Sequence, residues 1–195
     1  QSALRPSWSI ATLKAGLPQF ASILPYMENL SNIEDVANYV RNTLKDVVDE
    51  DMLKILRDSW KGNLIVKGIN HPDDALRAVA AGADGLIVSN HGGRQLDAAQ
   101  ASVNNVASIR ATVPEHIVVM ADSGVESGVD IARFLAQGAS TVFSGRAFLY
   151  GVAAHGEQGA EHTIDILRDE LQQVMSQLHC TRPEQVSQHK LEIRG

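Results

Sequence analysis

Between residues 63 and 146 the chain alternates short apolar runs with amphipathic stretches. The runs are Leu64-Ile65-Val66, Gly85-Leu86-Ile87-Val88, His116-Ile117-Val118-Val119-Met120 and Ser140-Thr141-Val142-Phe143. They are rich in β-branched residues, continuous rather than alternating, and bounded by Gly or polar residues. That pattern predicts strands buried on both faces, as in a parallel sheet. The stretches between them carry helix signals. Pro72 suits a first helical turn, Asp73 and Asp74 complement the positive end of the dipole, and Gly82 supplies a C-terminal cap. A helix after Gly128 sets Ile131, Phe134 and Leu135 on one face and stops near Gly138. The runs begin at 64, 85, 116 and 140, so the intervals are 21, 31 and 24 residues. Strand and crossover helix alternating at that spacing predict repeated βα units.

Helical patterns flank this block. Ser31-Asn32-Ile33-Glu34 reads as a capping box, followed by Ile33, Val36, Val40, Leu44 and Val47 at helical spacing. A short helix is predicted from Met52 to Trp60. After the last strand, Ile164, Leu167, Leu171, Val174 and Leu178 form an apolar stripe suited to core packing. Residues 1–30 predict neither strand nor helix, and residues 181–195 read as a polar tail. The chain thus divides into 1–62 (loop and helices before the sheet), 63–180 (the βα block) and 181–195. Four βα units are half of a closed (β/α)₈ barrel, which takes ~250 residues. A doubly wound dinucleotide fold is less apt, because its Gly-x-Gly-x-x-Gly fingerprint is absent.

Composition narrows the function classes. Of 195 residues, 44% are hydrophobic and 21% charged, and 17 Lys+Arg against 23 Asp+Glu give 17 − 23 = −6. This is a globular composition with enough apolar residues for a sizeable core. The acidic balance gives no footprint for nucleic acid. One cysteine, Cys180, excludes an internal disulfide and a cysteine-cluster zinc site, and no metal is expected. No apolar run approaches the ~20 residues of a membrane span, and no signal-peptide core is evident, so the expected location is cytoplasmic.

Each predicted strand ends in a polar group, and in α/β folds chemistry gathers at the C-terminal ends of strands. The first run ends in Lys67-Gly68 and the second in Ser89-Asn90-His91-Gly92-Gly93-Arg94-Gln95-Leu96-Asp97. The third ends in Asp122-Ser123-Gly124 and the fourth in Ser144-Gly145-Arg146. Lys67 is a candidate fixed cation for developing negative charge. His91 is a candidate general base, and Arg94 a planar fork for a carboxylate, beside two glycines that let backbone approach a ligand. Asp97 is an alternative, purely structural partner for Arg94. The glycines of the last two motifs, with Arg146, suit a phosphate held by backbone N–H groups.

These motifs, in this order, resemble the FMN-dependent α-hydroxy acid oxidase/dehydrogenase family, which includes glycolate oxidase, lactate oxidase and mandelate dehydrogenase. The resemblance rests on Leu64–Gly68, Ser89–Asp97, Asp122-Ser123-Gly124 with Gly128 and Asp130, and Gly145-Arg146 with Leu149-Tyr150-Gly151. It runs from about residue 45 to 180 and implies the last four βα units of a TIM barrel. It implies FMN as cofactor and oxidation of a small L-2-hydroxy acid to the 2-oxo acid. By resemblance, Lys67 and Ser89 meet the flavin ring, His91 is the base and also touches substrate, and Arg94 clamps the substrate carboxylate. Asp122, Ser123, Gly124, Gly145 and Arg146 are similar to the loops holding the ribityl phosphate.

Two departures qualify the match. Glu126 stands where the family carries a basic residue, and a carboxylate repels phosphate. The early strands, which in relatives supply flavin contacts and the aspartate that orients the histidine, have no counterpart in this sequence. The resemblance therefore implies a partner, the missing N-terminal half of the barrel, without which turnover is expected to be negligible. A half barrel exposes sheet edges, so homo-oligomers are also expected. Residues 7–30, with Trp8, Phe20 and Tyr26, are a candidate peripheral membrane contact. The rival readings are another FMN barrel enzyme, such as type 2 isopentenyl diphosphate isomerase, and a non-catalytic half barrel that keeps inherited motifs.

Overall fold

Four parallel strands form one sheet in the order β1-β2-β3-β4, each beside its neighbour in sequence. They are β1 (Ile65–Ile69), β2 (Gly85–Val88), β3 (Val118–Ala121) and β4 (Thr141–Val142). The computed structural model describes residues 6–16, 22–26, 33–43 and 48–193. Because the order never reverses and parallel crossovers are right-handed, every connecting helix lies on the same face of the sheet. That is the arrangement of a barrel wall, in contrast to the two-sided cover of a doubly wound sheet.

The chain separates into two compact units, 1–48 and 49–195. The first contains α1 (Pro6–Ala15), a 3₁₀ turn at Leu24–Tyr26 and α2 (Ile33–Thr43). Helix α1 and the turn lie where the sequence predicted none. Proline at the first helical position sets the start of α1, but its apolar residues fall on all sides, and Trp8, Ile10 and Leu13 are exposed. The expected cap at Ser31 and Asn32, the tail of the stripe at Leu44 and Val47, and Phe20 lie outside the described residues.

The second unit opens with α3 (Glu50–Ser59), capped by Asp49, whose carboxylate accepts the Met52 N–H at 2.9 Å. Helix α4 (Pro72–Ala80) follows β1 and begins as predicted, with the Nδ1 of His71 accepting the Asp73 N–H at 3.2 Å. Helix α5 (Ser102–Thr112) follows β2, and α6 (Gly128–Ala136) follows β3 behind a reciprocal Ser127/Asp130 capping box. Helix α7 (Arg146–His155) follows β4 and leads into α8 (Gly159–Gln177). The stripe predicted on α8 is buried at Leu167 and half-buried at Leu171 and Val174, whereas Ile164 is exposed.

The core lies between the sheet and the helices. Leu86, Val88, Val119 and Ala121 point into it and pack with Ala75 and Ala78 of α4, Val106 and Ile109 of α5, and Phe134 of α6. The register sets Ile65, Gly85 and Val118 in one row, and Lys67, Ile87, Met120 and Thr141 in the next, on the opposite face. There Ile65 is 41% and Val118 45% exposed. This corrects the expectation of strands buried on both faces. The inner face of a closed barrel is filled by side chains from all its strands, and four strands supply only part of that filling.

The polar composition of 181–195 hides an anchor. Pro183–Gln188 form a 3₁₀ helix, and Val186 is fully buried against Ala132, Leu135 and Cys180. Val186, Leu191 and Ile193 are too sparse in this polar stretch to give a periodicity, which is why composition alone read a tail.

Candidate active site

The C-terminal ends of the four strands meet at one rim. At β1, Gly68 has φ +96° and the register shifts between Lys67 and Ile69, so the strand bulges directly after Lys67. The Lys67 ammonium lies 2.9 Å from Asp122 Oδ2, beyond β3, and donates to Ser89 Oγ, at the end of β2, at 3.2 Å. Ser89 is buried, and its Oγ also accepts the His91 N–H at 3.1 Å. The other Asp122 oxygen accepts the Ser123 hydroxyl at 2.7 Å, and Ser123 Oγ in turn accepts the Gly92 N–H at 3.0 Å. Three strand ends are thereby joined through Lys67, Ser89, Asp122 and Ser123. Burial alone would raise the Asp122 carboxyl. Hydrogen bonds from Ser89, Lys67 and Ser123, and the Lys67 charge, outweigh it and hold Asp122 below the usual carboxylate range.

The segment after β2 is built from left-handed residues: His91, Gly92 and Gly93 have φ of +58°, +68° and +73°. At Gly92 the positive φ favours glycine, and a Cβ would stand 3.2 Å from the Arg146 guanidinium, which would have to shift slightly to admit it. The turn brings His91 and Arg94 to the surface of an open cavity of about 420 Å³. Lys67, Asp122, Ser123, Gly124, Gly145 and Arg146 line the same cavity, and so does Glu126. Ser89 lines an adjoining cavity and reaches this one through Lys67. All nine residues named from strand ends and from the family resemblance therefore gather at one rim, Ser89 through its bond to Lys67. The alternative pairing of Arg94 with Asp97 is not formed, since among the described residues no ion pair joins the two. Asp97 instead has its Oδ1 over the open side of Gly93.

Gly124 and Gly145 face open space, with no atom within 4 Å of where a Cβ would stand. Gly145 is the N-cap of α7 and gives no side-chain cap, so the first-turn N–H groups of a ten-residue helix begin beside Arg146 at the cavity wall. The cavity carries Lys67, Arg94 and Arg146 against Asp122 and Glu126, and Asp122 is already bound to Lys67. This arrangement favours a small carboxylate and a phosphate together.

Reading from the strand ends passes over Asn70, Ser102 and Asn105, and gives no role to Asn90 although it stands in the Ser89–Asp97 string. Asn90 Oδ1 accepts the Gly92 N–H at 2.9 Å, and its own N–H donates to Ser102 Oγ at 2.9 Å. Ser102 and Asn105 are buried polar residues on α5 beside Val106 and Ile109. Polar side chains at core-facing helical positions were the available signal.

The pattern that defines the FMN-dependent dehydrogenase family matches residues 1–193. An L-lactate dehydrogenase of Allorhizobium ampelinum is 37% identical over 196 residues, covering 100% of this chain and 52% of that protein. An L-lactate dehydrogenase of Xanthobacter autotrophicus is 39% identical over 90% of this chain and 46% of its own length. Among solved structures, the monotopic membrane protein (S)-mandelate dehydrogenase superposes with TM-score 0.86 at 37% identity, over 95% of this chain and 48% of that one. A mandelate oxidase superposes with TM-score 0.69 at 34% identity over 72% of this chain. The chain spans about half the length of these relatives, and its four sequential βα units are a part of their (β/α)₈ barrel. It belongs to the FMN-dependent dehydrogenase family.

Proposed function

We propose that this chain forms the later half of an enzyme that oxidises a small L-2-hydroxy acid to the 2-oxo acid with FMN. The observation that carries the proposal is the shared cavity, where a base, a carboxylate fork, a paired lysine and an anion cradle meet. The residues present fit FMN. Gly124 and Gly145 leave room for phosphate against backbone N–H groups, and Arg146 supplies a charge-assisted donor. Glu126 opposes them with one carboxylate at the cavity wall.

When bound, FMN supplies an acceptor for the two electrons that leave the substrate. Arg94 holds the substrate carboxylate through paired N–H donors, which fixes the 2-carbon relative to His91. His91 takes one of the two hydrogens as a proton as the C–H and O–H of the alcohol are replaced by C=O, and the other would leave with the electron pair to the acceptor. Lys67 would set a positive charge beside the electron acceptor, and Asp122 with Ser89 holds that ammonium in place. Ser123 extends this support to the His91 turn through Gly92. The lactate and mandelate relatives favour this reading over an isomerase.

The covering partner in this reading is the N-terminal half of the barrel. The test is to titrate the purified chain with FMN, alone and together with the complementary half of an L-lactate dehydrogenase. Two flavin absorbance bands retained at equal stoichiometry, and dye-linked lactate or mandelate oxidation on addition of the second half, are the expected results. A colourless protein under both conditions would overturn the reading and favour a non-catalytic half barrel.

A further reading concerns location, a cytoplasmic enzyme resting on a membrane. It is favoured by the exposed Trp8, Ile10 and Leu13 of α1 and by the neighbour described as monotopic. Among the described residues no helix is long and apolar enough to cross a membrane. Co-sedimentation with anionic vesicles, abolished by Trp8→Ser with Leu13→Ser, is expected; sedimentation unchanged by the substitutions would remove α1 from the contact.

A further inference from the structure

We infer that Asn70 and Asn105 are positioning residues that lock the loop presenting His91 and Arg94; the functional importance of that loop rests on the reading above. The loop leaves β2 at Asn90 and rejoins the fold at Gln100, before α5. Its two ends are tied to each other. The Asn90 N–H donates to Ser102 Oγ at 2.9 Å, and Asn90 Nδ2 donates to the Gln100 carbonyl at 3.3 Å. The same carbonyl accepts Asn70 Nδ2 at 2.9 Å, and Asn70 Oδ1 accepts Asn105 Nδ2 at 3.1 Å.

The orientation of both amides follows from that one carbonyl. A carbonyl only accepts, so Asn70 must turn its NH₂ toward Gln100 and leave its oxygen to Asn105. Asn105 must then present its own NH₂. Asn105 is 8% exposed and Ser102 1%, and both stand on the α5 face that also carries Val106 and Ile109. Asn105 is buried and Asn70 half-buried, buried amides are costly unless bonded, and only in this orientation does the pair bond both internally and to the Gln100 carbonyl. The held loop needs such a grip. His91 is not glycine, yet it sits at φ +58° ahead of two further left-handed residues, a conformation that persists only where the surroundings impose it. Asn90, the clamped residue, accepts the Gly92 N–H and so transmits the hold to that turn.

The test reverses one amide. Asn105→Asp is nearly isosteric, but a carboxylate only accepts. Asn70 must then turn its NH₂ inward and set its oxygen against the Gln100 carbonyl. Asn70→Asp breaks the same bond from a half-buried position and decides the matter if the helix substitution impairs folding. The readouts are tryptic cleavage after Arg94 in the folded chain and hydrogen exchange of the Gly92 amide. Cleavage after Arg168 on α8 serves as the reference for global opening. Both variants are expected to speed cleavage after Arg94 and exchange at Gly92 roughly ten-fold, with cleavage after Arg168 unchanged. No change at Arg94 and Gly92 overturns the clamp, and so does equal acceleration at Arg94 and Arg168. Neither readout needs flavin or turnover. Protection of Arg94 by pyruvate, a 2-oxo acid, tests the substrate reading separately, so the two failures are distinguishable.

Discussion

Asp122 and Lys67 form the pair on which the rim is organised, and the pair has a pH signature. The Asp122 carboxyl is held below its ordinary value in the folded chain, so the unfolded chain binds its proton more readily. Its contribution to stability is therefore complete above the ordinary carboxylate value of about 3.9 and is lost as pH falls through the lower folded value. Urea unfolding of the chain and of Asp122→Asn, from neutral pH to acid, checks this. The difference in stability should be full at neutral pH and shrink only on acidification below the ordinary carboxylate range. A difference constant across that range would remove the ion pair from the account. Arg94 makes a different prediction. It is exposed and forms no ion pair among the described residues, so Arg94→Ala should leave the melting temperature unchanged. In the enzyme assembled with its other half, the same substitution should raise KM by about 10–100-fold, the cost of removing a bidentate charge partner. A KM within two-fold of the parent, about the noise of such comparisons, would exclude Arg94 as the clamp.

At the scale of elements, the glycines divide into two kinds that the sequence does not distinguish. Gly151 belongs to the Leu149-Tyr150-Gly151 string that resembles the family, and the resemblance gives it no role of its own. The structure gives it a packing role: a Cβ there would overlap Thr163 Oγ1 and the Gly159 carbonyl, and a Cβ on Gly159 would overlap the Gly151 backbone. Gly128 is similarly closed by the backbone of α8 at Glu170 and Leu171. Gly151→Ala and Gly128→Ala should each destabilise the chain by about 1–3 kcal/mol, the range for overpacking, whereas Gly145→Ala should be near neutral for stability. Chemical denaturation of the three variants decides whether Gly151 holds helices or ligands. The same contrast explains what was legible in the sequence. Strands β1 to β4 and helices α4 and α6 could be read because period and caps are local signals, and the nine rim residues because strand-end position and the family's motif mark them. Helix α1, the anchor at Val186 and the Asn70–Asn105 pair could not. The apolar residues of α1 fall on all sides and give no helical period, while the anchor and the asparagine pair depend on contacts made far along the chain, where a single buried valine or asparagine leaves no periodic trace.

At the scale of the whole molecule, the sheet faces two environments. Its outer face is sealed by α4, α5 and α6, while the inner face carries Ile65 and Val118 nearly half exposed, with Phe143 beyond β4. Among the described residues β1 and β4 each pair on one side only, which leaves two strand edges as templates for another chain. We therefore expect the isolated chain to self-associate, and to become a defined complex when the complementary barrel half is supplied. One substitution separates these surfaces from ordinary stickiness. Val118→Lys replaces an inner-face residue that is already 45% exposed, so the chain should keep its melting temperature within a few degrees, as surface changes usually do. It should also self-associate less, because the apolar inner patch is interrupted. Inside a closed barrel the same lysine would stand among packed side chains with no partner, at a cost large enough to prevent assembly. Size-exclusion chromatography of parent and variant, with and without the second half, measures all three effects. A parent chain that elutes as a cooperative monomer, or a Val118→Lys chain that still pairs with the second half, would show that the inner face is not what the barrel closes upon.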